Sequence, residues 1–268
     1  MIYAISDIHG CIDALKKKME PVDLSGDSRI IFLGDYIDYG DHSCQVVEYI
    51  RDLQEEYGDE KVVALRGNHE EAFLDWIREY RNPARSELDA LTTYNDWLRS
   101  DSDCDLKTFR TFISEERLAE FEENAKTASF DSLNRMAVQM ILEKNTKLIG
   151  RMKKLPYYYE TDDQIFVHAG IEEAAGVEWK HGTSKDVMLW KFPPSTGSFY
   201  KTIISGHVGT GLPELADNPD YHDIFYDGES HIYIDGAVYK DKGKLLLLGY
   251  DEHESKYYQI EESGWIEL

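Results

Sequence analysis

The sequence is poor in cysteine and in positive charge, and it contains no long apolar run. Its three cysteines, Cys11, Cys44 and Cys104, form neither a CxxC pair nor an even framework, which excludes a disulfide-stapled scaffold and points to a reducing compartment. There is no stretch of about 18 or more apolar residues, so a bilayer-spanning helix is excluded. Met1 to Ala4 leads straight into Asp7 and His9, without the basic stretch, apolar segment and small-residue site of a signal peptide. A cytoplasmic protein with no membrane partner is therefore expected. With 29 basic against 52 acidic residues the formal charge is -23. A field of that sign repels a nucleic acid duplex or an anionic membrane.

What is present is organised around strands. Ile2 to Ile5, Ile30 to Leu33 and Val62 to Leu65 are short apolar runs rich in β-branched residues, each followed by a turn, the pattern of buried strands. Amphipathic stretches over about Ile12 to Glu20, Cys44 to Tyr57 and Glu70 to Tyr80 alternate with them, giving a βαβαβα series that calls for a parallel sheet. Pro83 breaks the rhythm. From about 82 to 152 apolar residues recur at helical spacing, as in Leu88, Leu91, Tyr94, Trp97 and Leu98 and again in Leu133, Met136, Ala137, Met140 and Ile141, so a helical insertion is expected. Strands return at Ile165 to Val167 and Thr202 to Ile204, followed by Ile232 to Ile234, Lys244 to Gly249 and Lys256 to Ile260, separated by turn residues. The last three read as antiparallel hairpin strands of a second, mixed sheet. The 268 residues suffice for one α/β domain with one insertion.

The ends of these strands carry the chemistry. Asp7-Ile8-His9, Gly34-Asp35 with Asp38, Gly67-Asn68-His69-Glu70, His168 and Gly206-His207 each follow an apolar run, and open α/β sheets bind ligands at that edge. Carboxylates, imidazoles and an amide oxygen suit a hard or borderline divalent metal, and manganese, iron and zinc all accept this donor set. Asp7 and His9 are expected to hold one metal, Asp35 to bridge, and Asn68, His168 and His207 to hold a second, the arrangement by which two cations clamp a phosphoryl group. His69, beside a ligand but free of the metal, is placed to protonate the leaving group. Asp38 is placed to orient it. Bound cations would also reverse the acidic field where a phosphorylated substrate enters.

In this order the motifs resemble the calcineurin-like metallophosphoesterase superfamily. Within it the chain is most similar to the bacterial phosphoprotein phosphatase branch, which includes symmetrical diadenosine tetraphosphatases. Leu155-Pro156, Phe166-Val167-His168-Ala169-Gly170 and Ile234-Asp235-Gly236-Ala237-Val238 extend the resemblance over nearly the whole chain. Gly209, where many members of the wider superfamily keep a second His, agrees with that branch. The resemblance implies a two-sheet β-sandwich flanked by helices, a four-layer αββα fold. It also implies two divalent transition metal ions and attack by a metal-bridging hydroxide.

One departure bears on substrate. Tyr39 occupies the position where the branch keeps a phosphate-gripping Arg. A phenol offers one hydroxyl and no charge in place of a planar, bidentate fork. Lys191, in Met188-Leu189-Trp190-Lys191, and Arg66, before Gly67, are the remaining candidate substrate contacts. The expected substrate is a phosphoester, either a phosphomonoester of a phosphoprotein, as for Ser/Thr phosphatases, or a nucleotide such as diadenosine tetraphosphate. A metal-containing binding module without catalysis is the third reading.

Overall fold

In the computed structural model, residues 1–82, 84, 98 and 106–268 are described. The first five strand and helix segments follow the expected alternation: β1 (Ile2–Ile5), α1 (Ile12–Met19), β2 (Arg29–Phe32), α2 (Ser43–Tyr57) and β3 (Val62–Ala64), then α3 (Asn68–Arg81). β1, β2 and β3 pair in parallel, Ala4 lying opposite Ile31 and Ile31 opposite Val63. Alternation along each strand sends Ile2, Ala4, Ile31 and Val63 to one face. Tyr3, Ile5, Ile30, Phe32, Val62 and Ala64 go to the other. Both faces are buried, as the unbroken apolar runs require.

Between α3 and the next strand the described residues form α4 (Lys107–Thr111), α5 (Glu115–Asn124) and α6 (Phe130–Met152), and no strand. The expected helical stretch through Leu88, Leu91, Tyr94 and Trp97 lies outside the described residues. Trp76 Nε1 donates to Asn134 Oδ1 at 2.7 Å and ties α3 to α6. Tyr36, Trp76 and Tyr80 belong to the core beneath these helices.

The second sheet is built from β4 (Tyr158–Glu160), β5 (Gln164–Val167), then, past the short helices α7 (Trp179–Gly182) and α8 (Lys185–Trp190), β6 (Thr202–Gly209), β7 (Phe225–Tyr226) and β8 (His231–Asp235). β5, β6 and β8 run parallel, with β4 and β7 antiparallel at the two edges. Phe166, Ile204, Ile232 and Ile234 face the first sheet across a shared apolar layer. Ile165, Val167 and Ile203 pack outward on Trp179 and Met188. The result is helices, sheet, sheet, helices, the four-layer arrangement expected.

The C-terminal strands correct one expectation. β9 (Leu248–Asp251), which starts later than the expected Lys244, and β10 (Lys256–Glu261) form the expected hairpin, β11 (Gly264–Glu267) adds a further strand, and all three join the first sheet, whose order is β11-β10-β9-β1-β2-β3. β9 lies antiparallel to β1, Leu248 opposite Ala4, so the chain end covers the edge that β1 would otherwise expose. β8 is also not a hairpin partner of these strands, since it pairs in parallel with β6.

A buried polar knot stiffens the second sheet. His231 bonds through Nε2 to Glu173 Oε2 at 3.1 Å and through Nδ1 to Asp227 Oδ2 at 3.0 Å. Burial lowers the His231 pKa, but the two carboxylates outweigh it and raise the value above 6.5. Glu173, although pushed up by burial, is brought down to about 2 by its bonds to His231 and Lys191. The His231 contribution to stability is present below its ordinary value of 6.5 and is lost as pH rises through the raised folded value. The Glu173 contribution is present above 4.5 and lost as pH falls through about 2. His231→Gln should therefore cost about 1 to 3 kcal/mol near pH 5.5 and less near pH 8.5, read from urea midpoints at the two pH values. An equal loss at both would show that the imidazole is neutral in the folded protein.

Candidate active site

The ligand-type residues gather where strands give way to turns, except that Asn68 opens α3 and His207 lies within β6. Asp7, His9, Asp35, Asp38, Tyr39 and His207 all have left-handed backbones, with φ of 53°, 45°, 55°, 75°, 60° and 62°. Each such non-glycine residue is strained and persists only where its surroundings over-determine it. Here the turns brace one another, with His9 N–H donating to Asp35 O at 2.9 Å and Gly10 N–H to Tyr36 O at 2.8 Å. Glu70 is the central brace. Its carboxylate accepts from the backbone N–H of Asp35 at 2.9 Å, Tyr36 at 2.8 Å, Ile37 at 3.3 Å and Gly67 at 3.0 Å. It thus organises the turn as well as capping α3. Gly67 and Gly206 are required by proximity, because a Cβ on the first would strike Asp35 and on the second Asp7 and Ser6.

Asp35 is the hub. His9 Nε2 lies 3.7 Å from Asp35 Oδ2, and 3.9 Å from Asp7 Oδ1. On the other side His168 Nε2 lies 3.5 Å from Asp35 Oδ1. Asn68 Oδ1 is 2.7 Å from His168 Nε2 and 3.1 Å from His207 Nδ1. Two groups of donor atoms therefore converge, one around His9, Asp35 and His69 and one around Asp35, His168 and His207. The imidazoles are oriented for ligation. His9 Nδ1 bonds Ile37 O at 2.8 Å and His168 Nδ1 bonds Leu33 O at 3.0 Å, an arrangement that leaves each Nε2 lone pair aimed into the cluster. The donor set and its second layer fit divalent transition metals.

Charge divides the histidines by role. Burial drives His9 down to about 4 and His207 likewise to about 4, and it also lowers His168. These three are neutral, as metal ligands must be. His69 behaves oppositely. Burial alone would lower it, but Asp35 and the bond to Asp38 raise it to about 10. Burial pushes Asp35 up, yet the surrounding imidazoles of His168, His69, His9 and His207 hold it below its ordinary value. Asp7 is driven well up by burial and by the neighbouring carboxylates of Asp235 and Asp35, a concentration of negative charge that a cation would relieve.

The remaining expected residues divide. Asp38 Oδ2 is 2.6 Å from His69 Nδ1, so this pair is in contact beside the cluster. The Tyr39 ring lies 4.7 Å from His9 and 5.4 Å from His69. Arg66 is engaged within the fold: its guanidinium pairs with Glu71 at 2.6 Å and donates to Tyr157 OH, Met152 O and Lys153 O, so it caps the carboxyl end of α6. The Lys191 ammonium binds Ile171 O at 2.6 Å and Glu173 Oε1 at 2.9 Å, joining the His231 knot.

Three further residues border the cluster. Trp190, 49% exposed, meets the His207 ring edge-on at 6.0 Å. Tyr239 stacks on Tyr39 at 4.1 Å with an interplanar angle of 11° and meets His9 at 5.1 Å. Asp235 is buried, raised to about 6 mainly by that burial, and adds to the charge around Asp7. It ends β8 as Asp7 and Asp35 follow β1 and β2, so the strand-end pattern already carried its signal. Nothing local marked Tyr239, whereas Trp190 stands in the segment singled out for Lys191.

A four-layer sandwich with carboxylate, amide and imidazole donors gathered at its strand ends defines a metallophosphoesterase. The family model described as calcineurin-like phosphoesterase matches residues 1–210, and the chain belongs to that family. Among curated proteins, the chain is 32% identical over 87 residues to the symmetrical bis(5'-nucleosyl)-tetraphosphatase of Buchnera aphidicola subsp. Baizongia pistaciae, covering 32% of this chain and 30% of that protein. It is 33% identical over 85 residues to an uncharacterized protein of Methanocaldococcus jannaschii, covering 30% of this chain and 32% of that protein. The matched segments thus span under a third of these relatives. Among solved structures, the cold-active protein-tyrosine phosphatase of a psychrophilic Shewanella species superposes with a TM-score of 0.54 at 14% identity, over 100% of this chain and 80% of that one. A protein serine/threonine phosphatase of Saccharomyces cerevisiae does so with a TM-score of 0.51 at 13% identity, over 99% and 76%. At these identities the likeness concerns the fold.

Proposed function

We propose that the protein hydrolyses phosphoesters using two divalent transition metal ions, one held by Asp7, His9 and Asp35 and the other by Asp35, Asn68, His168 and His207. The observation that carries this reading is the Asp35 carboxylate, which turns one oxygen to His9 and the other to His168. When bound, such ions supply Lewis acidity to the phosphoryl oxygens and to the attacking water. His69 holds a proton at Nε2 for the leaving oxygen, while Asp38 fixes Nδ1. Glu70 keeps the Asp35 turn in its left-handed form, so that the shared carboxylate is set before substrate arrives.

The primary substrate reading is a phosphomonoester, as for Ser/Thr protein phosphatases. A nucleotide reading, with diadenosine tetraphosphate as the model compound, is favoured by the stacked Tyr39 and Tyr239 beside His9. Two phenols offer a planar surface and no fork for a terminal phosphate. With manganese added, turnover should be measured on a nitrophenyl monoester, a phosphopeptide, diadenosine tetraphosphate and a nitrophenyl diester. Faster turnover of the monoesters supports the phosphatase reading, and faster turnover of the other two the nucleotide reading. Metal content near two ions with no turnover on any of the four would leave only a binding module.

The reducing compartment inferred from cysteine usage, with Cys11 and Cys44 free, leads us to place the protein in the cytoplasm. Among the described residues no helix is long and apolar enough to cross a membrane.

A further inference from the structure

The orientation of His69 passes through Asp38, and Asp38 is held by a part of the chain that contains none of the strand-end motifs. Asp38 is fully buried. Its Oδ2 lies 2.6 Å from His69 Nδ1, and its Oδ1 accepts the hydroxyl proton of Thr108 on α4. Its backbone N–H donates to Ser43 Oγ at 3.0 Å, and that oxygen lies 3.4 Å from Thr108 Oγ1. Thr108 and Ser43 are themselves fully buried.

α4 makes further contacts with the same stretch, residues 38–44, among them an ion pair of Lys107 Nζ with Asp41 Oδ1 at 3.4 Å. Lys107 Nζ donates to Tyr39 O at 3.1 Å. Thr111 Oγ1 accepts from Cys44 N–H at 3.0 Å and donates to Thr108 O at 2.8 Å. Phe109, between them, is fully buried and packs on Phe121 at 4.7 Å, which anchors the short helix to the layer formed by α5 and α6. Residues 38–44 are thus gripped from a segment lying between α3 and β4.

We propose that Thr108 is a positioning residue for the leaving-group acid: its hydroxyl fixes the Asp38 carboxylate, so that the α4 segment sets how well esters with strongly basic leaving groups are turned over. This inference rests on the phosphoesterase reading above. A carboxylate torsion has a broad minimum. Holding Oδ1 keeps Oδ2 facing His69 Nδ1 and keeps the opposite nitrogen pointed at the leaving oxygen. In the step itself a hydroxide oxygen forms a new bond to phosphorus as the ester P–O bond breaks with its electron pair remaining on the leaving oxygen, and the Nε2 proton of His69 passes to that leaving oxygen. The Nδ1 proton stays in its bond to Asp38. An alkoxide needs that proton, whereas a nitrophenolate departs largely without it. Angular slack in His69 should therefore penalise the first far more than the second.

The test compares kcat and KM of Thr108→Val and Thr108→Ser on an alkyl phosphomonoester and on a nitrophenyl monoester, with manganese. Removing the hydroxyl should lower the ratio of alkyl to nitrophenyl kcat by about tenfold, with KM little changed, and serine should restore it. In a His69→Asn background, Thr108→Val should cause no further drop in that ratio. Thr108→Ala serves if valine prevents folding. An equal loss on both substrates, or no loss, would reduce Thr108 to a structural role. A second readout does not need turnover: the His69 Nδ1 proton resonance in 15N-labelled protein should move in the valine or alanine variant and stay in the serine variant. An unmoved resonance overturns the inference even in an active enzyme. A wild type inactive on every ester overturns the phosphoesterase reading instead.

Discussion

Asp35→Asn is expected to lower turnover by about 10³-fold or more and to reduce bound metal from about two ions per chain to about one or fewer. Among the described residues, the carboxylate is the only group that belongs to both donor clusters of the site. An amide in its place keeps one acceptor oxygen and replaces the other with a donating NH2. It can serve one cation but not two. The substitution also removes the charge that offsets the imidazoles of His168, His69, His9 and His207. The amide oxygen can still accept from the His69 N–H, which Asp35 Oδ1 does at 3.1 Å, so the turn should survive and the thermal midpoint should report a folded protein. Metal analysis by mass spectrometry, with turnover of the same sample, is the measurement. Near-normal activity with two ions retained would remove Asp35 from the bridge.

His69→Asn is expected to separate acid from ligand. Both ions should remain, while turnover of an alkyl monoester falls by about 10² to 10⁴ and that of a nitrophenyl monoester by less. The prediction is a sharp one because His69 Nε2 lies 3.8 Å from Asp35 Oδ2, about as close as His9 Nε2 at 3.7 Å. Distance alone does not distinguish the two residues. Their surroundings do: Asp35 and the bond to Asp38 raise His69 to about 10, which favours an imidazolium that donates, whereas burial lowers His9 to about 4, which favours a neutral ring with a free lone pair. Loss of one ion on substitution would make His69 a ligand and leave the leaving-group proton without a donor.

Much of this site was legible locally. Asp7, His9, Asp35, Asn68 and His168 follow strands that their own apolar runs announce, and the structure gathers them at one edge. His207 was found although it lies inside β6, at an irregularity between Ser205 and Gly209, rather than after it. Asp235, at the end of β8, fits the same pattern. Arg66 and Lys191 show where local reading stops. Arg66 stands two residues before Asn68 and Lys191 directly after Trp190, but long flexible side chains go to whichever partner the fold presents. For Arg66 that partner is the end of α6, and for Lys191 it is Glu173.

Period and residue type were enough for the parallel strands, the helices behind them and the chemical kind of the donors, because backbone geometry and ligand preference act over a few residues. Which edge β9 covers, which phenol stacks on Tyr39, and that a threonine on α4 would hold Asp38 depend on surfaces tens to hundreds of residues apart in the chain. Packing of the two sheets and their helices chose those neighbours, since burial rewards any apolar surface that fits and carries no record of sequence distance.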